Sequence, residues 1–239
     1  LVAELLGFDE VQRNALNVMS SRGRCQLDFL HWINQITNVF EKLFIDLSIF
    51  SQEEYQFVSL PDSFTTGSSI MPQKRNPDVL ELARGRCREI RGLRTTLENI
   101  PTSLPSSYHR DSQLQKFYLV RSYQLTQAIA QLAPELMNNL KIHEARMKSA
   151  CTSELFATHE AYQLVQKGLP FREAYRRIGE QILDGNFKAQ PAESYLQHLH
   201  KDFSEESLLR DQQLDALHAW ADDTRLHLET LFTKLLERV

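Results

Sequence analysis

The run Gly67-Ser68-Ser69-Ile70-Met71-Pro72-Gln73-Lys74-Arg75-Asn76-Pro77 ends a long irregular segment and begins a long helix. Residues 51–76 are rich in turn formers and small polar side chains, and they lose helical periodicity after Tyr55. Asn76 can cap a helix, Pro77 suits the first helical position, and Asp78 is favourable at the positive end of the helix dipole. Loops of this length are uncommon in compact proteins unless they are functional or disordered. We therefore predict a functional loop over residues 61–77.

Long helical patterns lie on both sides of this loop. Apolar residues at helical spacing predict helices over residues 26–50, 77–99 and 112–138, and Pro134 is expected to kink or end the third. Helices of about seven turns need a bundle, either within one chain or between chains. From His143 onward the pattern predicts shorter helices, near residues 154–167, 170–183, 192–200, 211–219 and 222–238. We predict an all-α chain, with a long-helix bundle over residues 1–140 and a smaller α-helical C-terminal domain over residues 141–239.

The composition of the 239-residue chain narrows the classes of function. Hydrophobic residues make up 42% of it, which supports a sizeable core. The net charge of -4, without a dominant basic patch, argues against nucleic acid as the main partner. We find no apolar run long enough to span a membrane and no signal peptide. The three cysteines are far apart and form no CxxC pair, so we expect neither zinc nor a disulfide framework, and we expect a reducing cytoplasm.

The loop combines groups that suit an anionic ligand. Ser68 and Ser69 supply two hydroxyls, and Gly67 allows a close approach of the backbone. Lys74 adds a cation and Asn76 adds an amide donor. The loop ends at a helix N-terminus, where exposed N–H groups and the helix dipole favour anions. Composition alone fits a solvated capping loop about equally well, but the whole string is more specific and predicts a site for a carboxylate or a phosphate.

The string Gly-Ser-Ser-x-Met-Pro-x-Lys-x-Asn-Pro resembles the signature of the fumarase/aspartase superfamily of lyases. Gln73-Lys74-Arg75 makes it most similar to argininosuccinate lyases, since fumarases typically carry Gly-Lys-Val and adenylosuccinate lyases His-Lys-Arg at this place. A second loop, with Tyr108, Asp111, Gln113 and Lys116, is also similar to argininosuccinate lyases in its spacing. The resemblance implies a homotetramer with a twenty-helix core, active sites that draw on three subunits, a small-molecule substrate, and no cofactor or metal.

The resemblance also implies a reaction and the residues that perform it. The reaction is the β-elimination of argininosuccinate to arginine and fumarate, a step of arginine biosynthesis. Ser68 would remove the proton next to a carboxylate, while Lys74 and Asn76 would stabilise the resulting aci-carboxylate. The implied substrate-binding residues are Ser69, Met71, Tyr108, Gln113 and Lys116.

The general acid that this superfamily supplies is missing from the sequence. It belongs to a Thr-His-x-Gln type segment upstream of the serine loop, and the chain has no such segment. Thr158-His159-Glu160 is similar only in part, and we interpret His159 as structural. We therefore expect this chain to be the C-terminal portion of a longer enzyme and to be inactive alone. The alternatives are adenylosuccinate lyase or another lyase of the superfamily, and a non-catalytic structural relative.

Overall fold

The computed structural model describes residues 2–5 and 7–236 of the chain. The α-helices of this part are α1 (Val2–Leu5), α2 (Ala15–Ser20), α3 (Arg24–Phe50), α4 (Asp78–Asn99), α5 (Gln115–Asn139), α6 (Glu144–Ser149), α7 (Ala157–Gln166), α8 (Phe171–Leu183) and α9 (Ala192–Leu236). Short strands form two small antiparallel ribbons, in which β1 (Val58–Ser59) pairs with β4 (Lys141–Ile142) and β2 (Thr66–Gly67) pairs with β3 (Arg75–Asn76). The predicted all-α class is confirmed.

The chain divides into two compact units. Residues 12–147 form one unit, and the described parts of residues 1–11 and 148–239 form the other. The division expected from the sequence, into domains over residues 1–140 and 141–239, stays a prediction.

In the first unit, α3, α4 and α5 pack side by side as a helical bundle. Arg88 of α4 contacts Glu41 of α3, and Arg91, which is later in α4, contacts Asn38, which is earlier in α3. These two helices are therefore antiparallel. The buried apolar core lies between the three helices and the adjoining strand and consists of Leu30, Ile33, Phe44, Leu47, Val58, Leu80, Ala83, Cys87, Ile90, Leu97, Leu125, Ile129, Ala133 and Leu136. These are the apolar stripes that predicted the three helices, and their burial is the main driving force for the bundle.

A buried carboxylate joins α3 to α4 near the middle of the bundle. Glu41 is 8% exposed; it accepts a hydrogen bond of 2.7 Å from Nε of Arg88 and another from the guanidinium of Arg91. Burial would raise the pKa of the Glu41 carboxyl, but hydrogen bonds and charge from the two arginines outweigh it and hold the pKa below its ordinary value. Beside this group, burial and the charge of Glu41 raise the pKa of the Cys87 thiol to about 11. Glu41 is therefore ionised and Cys87 neutral at neutral pH.

Two details of the bundle helices differ from the sequence predictions. Asn76 does not cap α4, because it pairs with Thr66 in the β2–β3 ribbon and Pro77 takes the N-cap position. Pro134 does not end α5, which continues to Asn139. The buried side chains on either side of Pro134, Ala133 and Leu136, anchor this last part of the helix in the core.

The two loops predicted to carry function lie at opposite ends of the bundle. We call residues 61–77, between α3 and α4, the serine loop, and residues 105–116, between α4 and α5, the tyrosine loop. The intervening helix α4 has 22 residues, which at about 1.5 Å per residue separates its ends by about 33 Å. The pairing of β1 with β4 brings the segment after α5 to the same end as the serine loop.

The second unit is also helical. Here the predicted helices near residues 192–200, 211–219 and 222–238 are wrong as separate elements, because α9 runs without interruption over Ala192–Leu236. The sequence from 192 to 236 contains neither glycine nor proline, so nothing in the backbone ends a helix there. Residues 237 and 238 of the last predicted helix lie outside the described residues.

Candidate active site

The serine loop is a narrow ribbon with an exposed tip. Thr66–Gly67 pairs with Arg75–Asn76, so residues 68–74 form the tip between the two strands. The base of the ribbon is tied to its surroundings twice: the Thr66 hydroxyl donates to the Asp78 carboxylate, and Nε of Arg75 lies 3.3 Å from Oδ1 of Asp62. The first bond holds β2 against the start of α4, and the second ties β3 to the segment that precedes β2.

Within the tip, Ser68 is surrounded by backbone donors. Its Oγ accepts hydrogen bonds of 3.2 Å from the backbone N–H groups of Ile70 and Met71. The tip then turns back, since the N–H of Lys74 donates to the carbonyl of Met71 at 3.0 Å. Donors of this kind stabilise negative charge on the oxygen that they contact. These two N–H groups can therefore stabilise negative charge that forms on the Ser68 oxygen.

A cavity of about 1060 Å³ lies beside the serine loop within the first unit. Its wall includes Met71, Lys74 and Asn76 from the loop, and Arg84 from the first turns of α4. Arg84 is close to Glu81, with Nη2 and Oε1 3.5 Å apart. Lys74, Arg75 and Arg84 line this space together with Glu53 and Glu81, so cations outnumber carboxylates there, which is compatible with a ligand that carries carboxylates.

His143 is a cavity residue that the sequence reasoning missed. It follows β4, its backbone N–H donates to the carbonyl of Phe57 at 2.9 Å, and its Nε2 lies 3.0 Å from Oγ of Ser59. His143 and Ser59 both line the cavity beside the serine loop. No local sequence pattern predicts this contact, because the two residues are 84 positions apart and are brought together by the β1–β4 ribbon.

At the other end of the bundle, the tyrosine loop brings two of its predicted residues together. Nε2 of Gln113 donates to the Tyr108 hydroxyl at 3.4 Å. The guanidinium of Arg22 lies 4.8 Å from the centre of the Tyr108 ring, within the range of a cation–π contact. Lys116 lies on the first turn of α5 and is exposed. Tyr108, Gln113 and Lys116 therefore share one end of the bundle.

The two groups of predicted residues do not meet within one chain. Ser68, Lys74 and Asn76 lie at one end of α4 and Tyr108 lies at the other, about 33 Å away by the length of that helix. A substrate of small-molecule size cannot touch both ends at once. Any site that uses both loops must take them from different copies of the chain.

Other candidate features weigh less. His159 lies on α7 with its ring edge-on to Tyr195, at 4.9 Å between ring centres, which fits the structural role expected for it. Tyr195 also donates to Glu160, and burial followed by this bond raises the pKa of the Tyr195 hydroxyl. Among the described residues, no group of three or more His, Cys, Asp or Glu side chains is placed to hold a metal ion. No helix in that part of the chain is long and apolar enough to cross a membrane.

Comparison with known proteins gives consistent relatives. The profile of a family described as "Lyase" matches residues 1–92. An argininosuccinate lyase of Sorangium cellulosum is 44% identical over 181 residues, which is 76% of this chain and 42% of that protein. An argininosuccinate lyase of Bacteroides fragilis is 35% identical over 187 residues, or 78% of this chain and 42% of that protein. The chain thus spans about two fifths of the length of these relatives.

Solved structures agree on the fold. A fumarate lyase:delta crystallin from Brucella melitensis superimposes with a TM-score of 0.58 at 20% identity, covering 77% of this chain and 41% of that one. The 3-carboxy-cis,cis-muconate lactonizing enzyme from Pseudomonas putida gives a TM-score of 0.57 at 20% identity, covering 74% and 38%. At this level of identity the likeness concerns the fold alone.

Proposed function

We propose that the chain belongs to the lyases of the fumarase/aspartase superfamily and forms part of an argininosuccinate lyase, because argininosuccinate lyases are among its curated relatives. The reaction would be the β-elimination of argininosuccinate to arginine and fumarate. The observation that carries the proposal is the extent of the likeness to proteins of that name, at 44% and 35% identity over about three quarters of the chain.

We assign the base to Ser68. In the proposed step, the hydroxyl proton of Ser68 first passes to solvent, and the resulting alkoxide removes a proton from the carbon next to a carboxylate while the electrons of that C–H bond move into the carboxylate. The aci-carboxylate then collapses to fumarate as the C–N bond breaks, with the bonding pair leaving on nitrogen. The two backbone N–H groups that contact Ser68 Oγ support this role, because they favour negative charge on the oxygen that accepts the proton.

Lys74 and Asn76 are assigned to the developing charge. The carbon acid is weak, so its anion needs donors that are already in place when the proton leaves. Both residues line the cavity beside the serine loop, as does Met71, and this shared position supports the assignment. Ser69 is assigned to the substrate as the neighbour of Ser68 in the same tip. The leaving nitrogen must also be protonated, and we assign this step to a general acid outside these 239 residues.

Tyr108, Gln113 and Lys116 are assigned to substrate binding at a site completed by the serine loop of another copy. The separation of the two loops by the length of α4 supports this arrangement. We propose that the copies form a homotetramer. Exposed apolar side chains on the bundle support association between copies of the chain. These side chains are Phe29, Trp32, Val39, Leu82, Phe117, Val120 and Tyr123. A cytoplasmic location is also proposed, with support from the unpaired thiols of Cys25 and Cys87.

The test is a substrate panel followed at the absorbance band of fumarate. The protein that contains this chain together with the expected upstream part should release fumarate from argininosuccinate and none from adenylosuccinate. The reverse preference would overturn the proposal. This chain alone should show no turnover, and turnover should appear when the upstream part is added back.

A further inference from the structure

A short turn from a distant part of the sequence contacts the tyrosine loop. This turn, residues 20–23, runs from the last residue of α2 to the residue before α3, and it touches the tyrosine loop and the start of α5 in three ways. Oγ of Ser20 accepts a hydrogen bond of 3.3 Å from the N–H of Ser107. The Arg22 guanidinium lies over the Tyr108 ring at 4.8 Å. Gly23 packs against Gln115 at the start of α5.

The contact between Gly23 and Gln115 leaves no room for a side chain. Gly23 has a φ of +93°, and a Cβ built on it would lie 2.4 Å from Nε2 of Gln115. Gln115 is 3% exposed, and its Nε2 has no hydrogen-bond partner among the described residues. A buried amide without partners is unfavourable, so this close approach needs a compensating reason. An unsatisfied buried polar group calls for an explanation, and one explanation is a loop that must be held in one arrangement for function.

The position of Gln115 suggests what the contact does. It stands between Gln113 and Lys116, both assigned to substrate, and its side chain points back to the turn 20–23. Ser107, next to Tyr108, has a φ of 110°, which a non-glycine residue rarely adopts, and the bond to Ser20 holds it there. The tyrosine loop is therefore restrained on both sides of Tyr108 by the same turn.

We propose that Gly23 and Arg22 are positioning residues, which hold Tyr108 and Gln113 in the geometry that binds substrate, and that position 23 must be glycine because Gln115 packs against it. The inference rests on the proposed function for its effect on turnover. The restraint of the tyrosine loop by residues 20–23 does not depend on the proposed function.

The first experiment compares two glycine substitutions in the complete protein. Gly168 has a φ of +98°, close to that of Gly23, but a Cβ added there meets nothing within 4 Å. Gly168→Ala is therefore a matched control for backbone strain without the clash. Gly23→Ala should raise KM by about tenfold or more with kcat nearly unchanged, because a small displacement of positioning groups weakens binding steeply. Gly168→Ala should leave KM at the wild-type value.

A rescue and a second variant complete the test. Adding Gln115→Ala to Gly23→Ala removes the clash, so KM should return most of the way to wild type. If Gly23→Ala does not fold, Arg22→Met replaces it, with an expected rise in KM of about two- to fivefold from the lost cation–π contact. Arg24→Met is its control, since Arg24 is an exposed arginine two positions further on. An unchanged KM in Gly23→Ala or Arg22→Met, an equal change in the controls, or no rescue by Gln115→Ala would overturn the proposal.

Hydrogen–deuterium exchange separates this inference from the proposed function. If the wild-type protein releases no fumarate from argininosuccinate, the proposed function fails. Exchange of residues 105–114 still decides the positioning role. It should become faster in Gly23→Ala and Arg22→Met and stay at the wild-type rate in Gly168→Ala. Unchanged exchange in the first two variants would contradict the restraint of the tyrosine loop.

Discussion

The two ends of the bundle hold their loops in different ways. The serine loop is fixed by neighbours in sequence: the β2–β3 pairing, the Arg75–Asp62 pair and the Thr66–Asp78 bond all fall within residues 62–78. The tyrosine loop is held by residues 20–23, more than eighty positions away. The difference teaches that the proposed catalytic groups can be arranged locally, whereas the proposed binding groups depend on how the whole bundle packs.

The largest effect is expected from removing the proposed base. Ser68→Ala in the complete protein should lower kcat by about 10²–10⁴-fold, because proton transfer loses its positioned acceptor. Ser63→Ala, an exposed serine in the same loop, is the control and should keep wild-type kcat. Steady-state release of fumarate measures both, and light scattering checks that assembly is intact. Retained turnover would remove Ser68 from the base role.

Mixing two inactive proteins tests whether the ends work together only across copies. Ser68→Ala damages one end of α4 and Tyr108→Leu damages the other. Each homo-oligomer should be nearly inactive, but mixed oligomers should contain some sites with two intact loops and should regain activity. Two Ser68→Ala preparations mixed in the same way are the control. If the mixture of different variants stays inactive, the two loops do not share a site across copies.

The ion pairs of Glu41 with Arg88 and Arg91 join α3 to α4 between the two ends of the bundle, and their contribution to stability can be measured. Glu41→Gln should lower the free energy of unfolding by about 1–2 kcal/mol at neutral pH, since both arginines are half exposed and water screens the pair. The pKa of Glu41 is lowered in the folded state, so this stabilisation is present above the unfolded carboxyl pKa of about 4.3 and is lost as pH falls through the lower folded value. Denaturant titrations at pH 7 and pH 3 measure it.

An exposed residue on α5 provides the reference for Glu41. Glu135→Gln should change the free energy of unfolding little at either pH. The gap between wild type and Glu41→Gln should narrow at pH 3. A gap that widens on acidification would show that Glu41 is not held as a carboxylate by the arginines.

The smallest effect is expected at the base of the serine loop. Asp62→Asn breaks a pair whose side chains are 52% and 89% exposed, and it should change the free energy of unfolding by less than about 1 kcal/mol. The ribbon pairing and the Thr66–Asp78 bond remain. Thermal unfolding provides the measurement, with Asp46→Asn on α3 as an exposed control. A much larger loss of unfolding free energy would show that the ribbon pairing and the Thr66–Asp78 bond do not compensate for the lost pair.

Much of the fold follows from sequence periodicity. The helix expected over residues 26–50 is α3 at Arg24–Phe50, because a continuous apolar stripe faces the core. The prediction of three separate helices after residue 191 is wrong, because no glycine or proline between residues 192 and 236 ends α9. An anion site in the serine loop could be predicted from its residue types, and the roles of its residues from the resemblance of the whole string to a lyase signature. The ribbon could not, since strands of two residues show no alternation.

Contacts between distant segments were beyond reach of the sequence. Nothing in the residues around His143 indicates Ser59, and nothing near Tyr108 indicates Arg22. Such pairs form only after the helices have packed, so their geometry is a property of the bundle rather than of a local pattern. The contacts between residues 20–23 and the tyrosine loop belong to this class.

The packing of Gly23 on Gln115 also has a consequence for how this protein varies over generations. A side chain at position 23 would overlap with the Gln115 side chain, so it fits better beside a smaller residue at position 115. We expect these two positions, 92 apart in sequence, to change together. Among natural variants of this chain, the size of one should predict the size of the other.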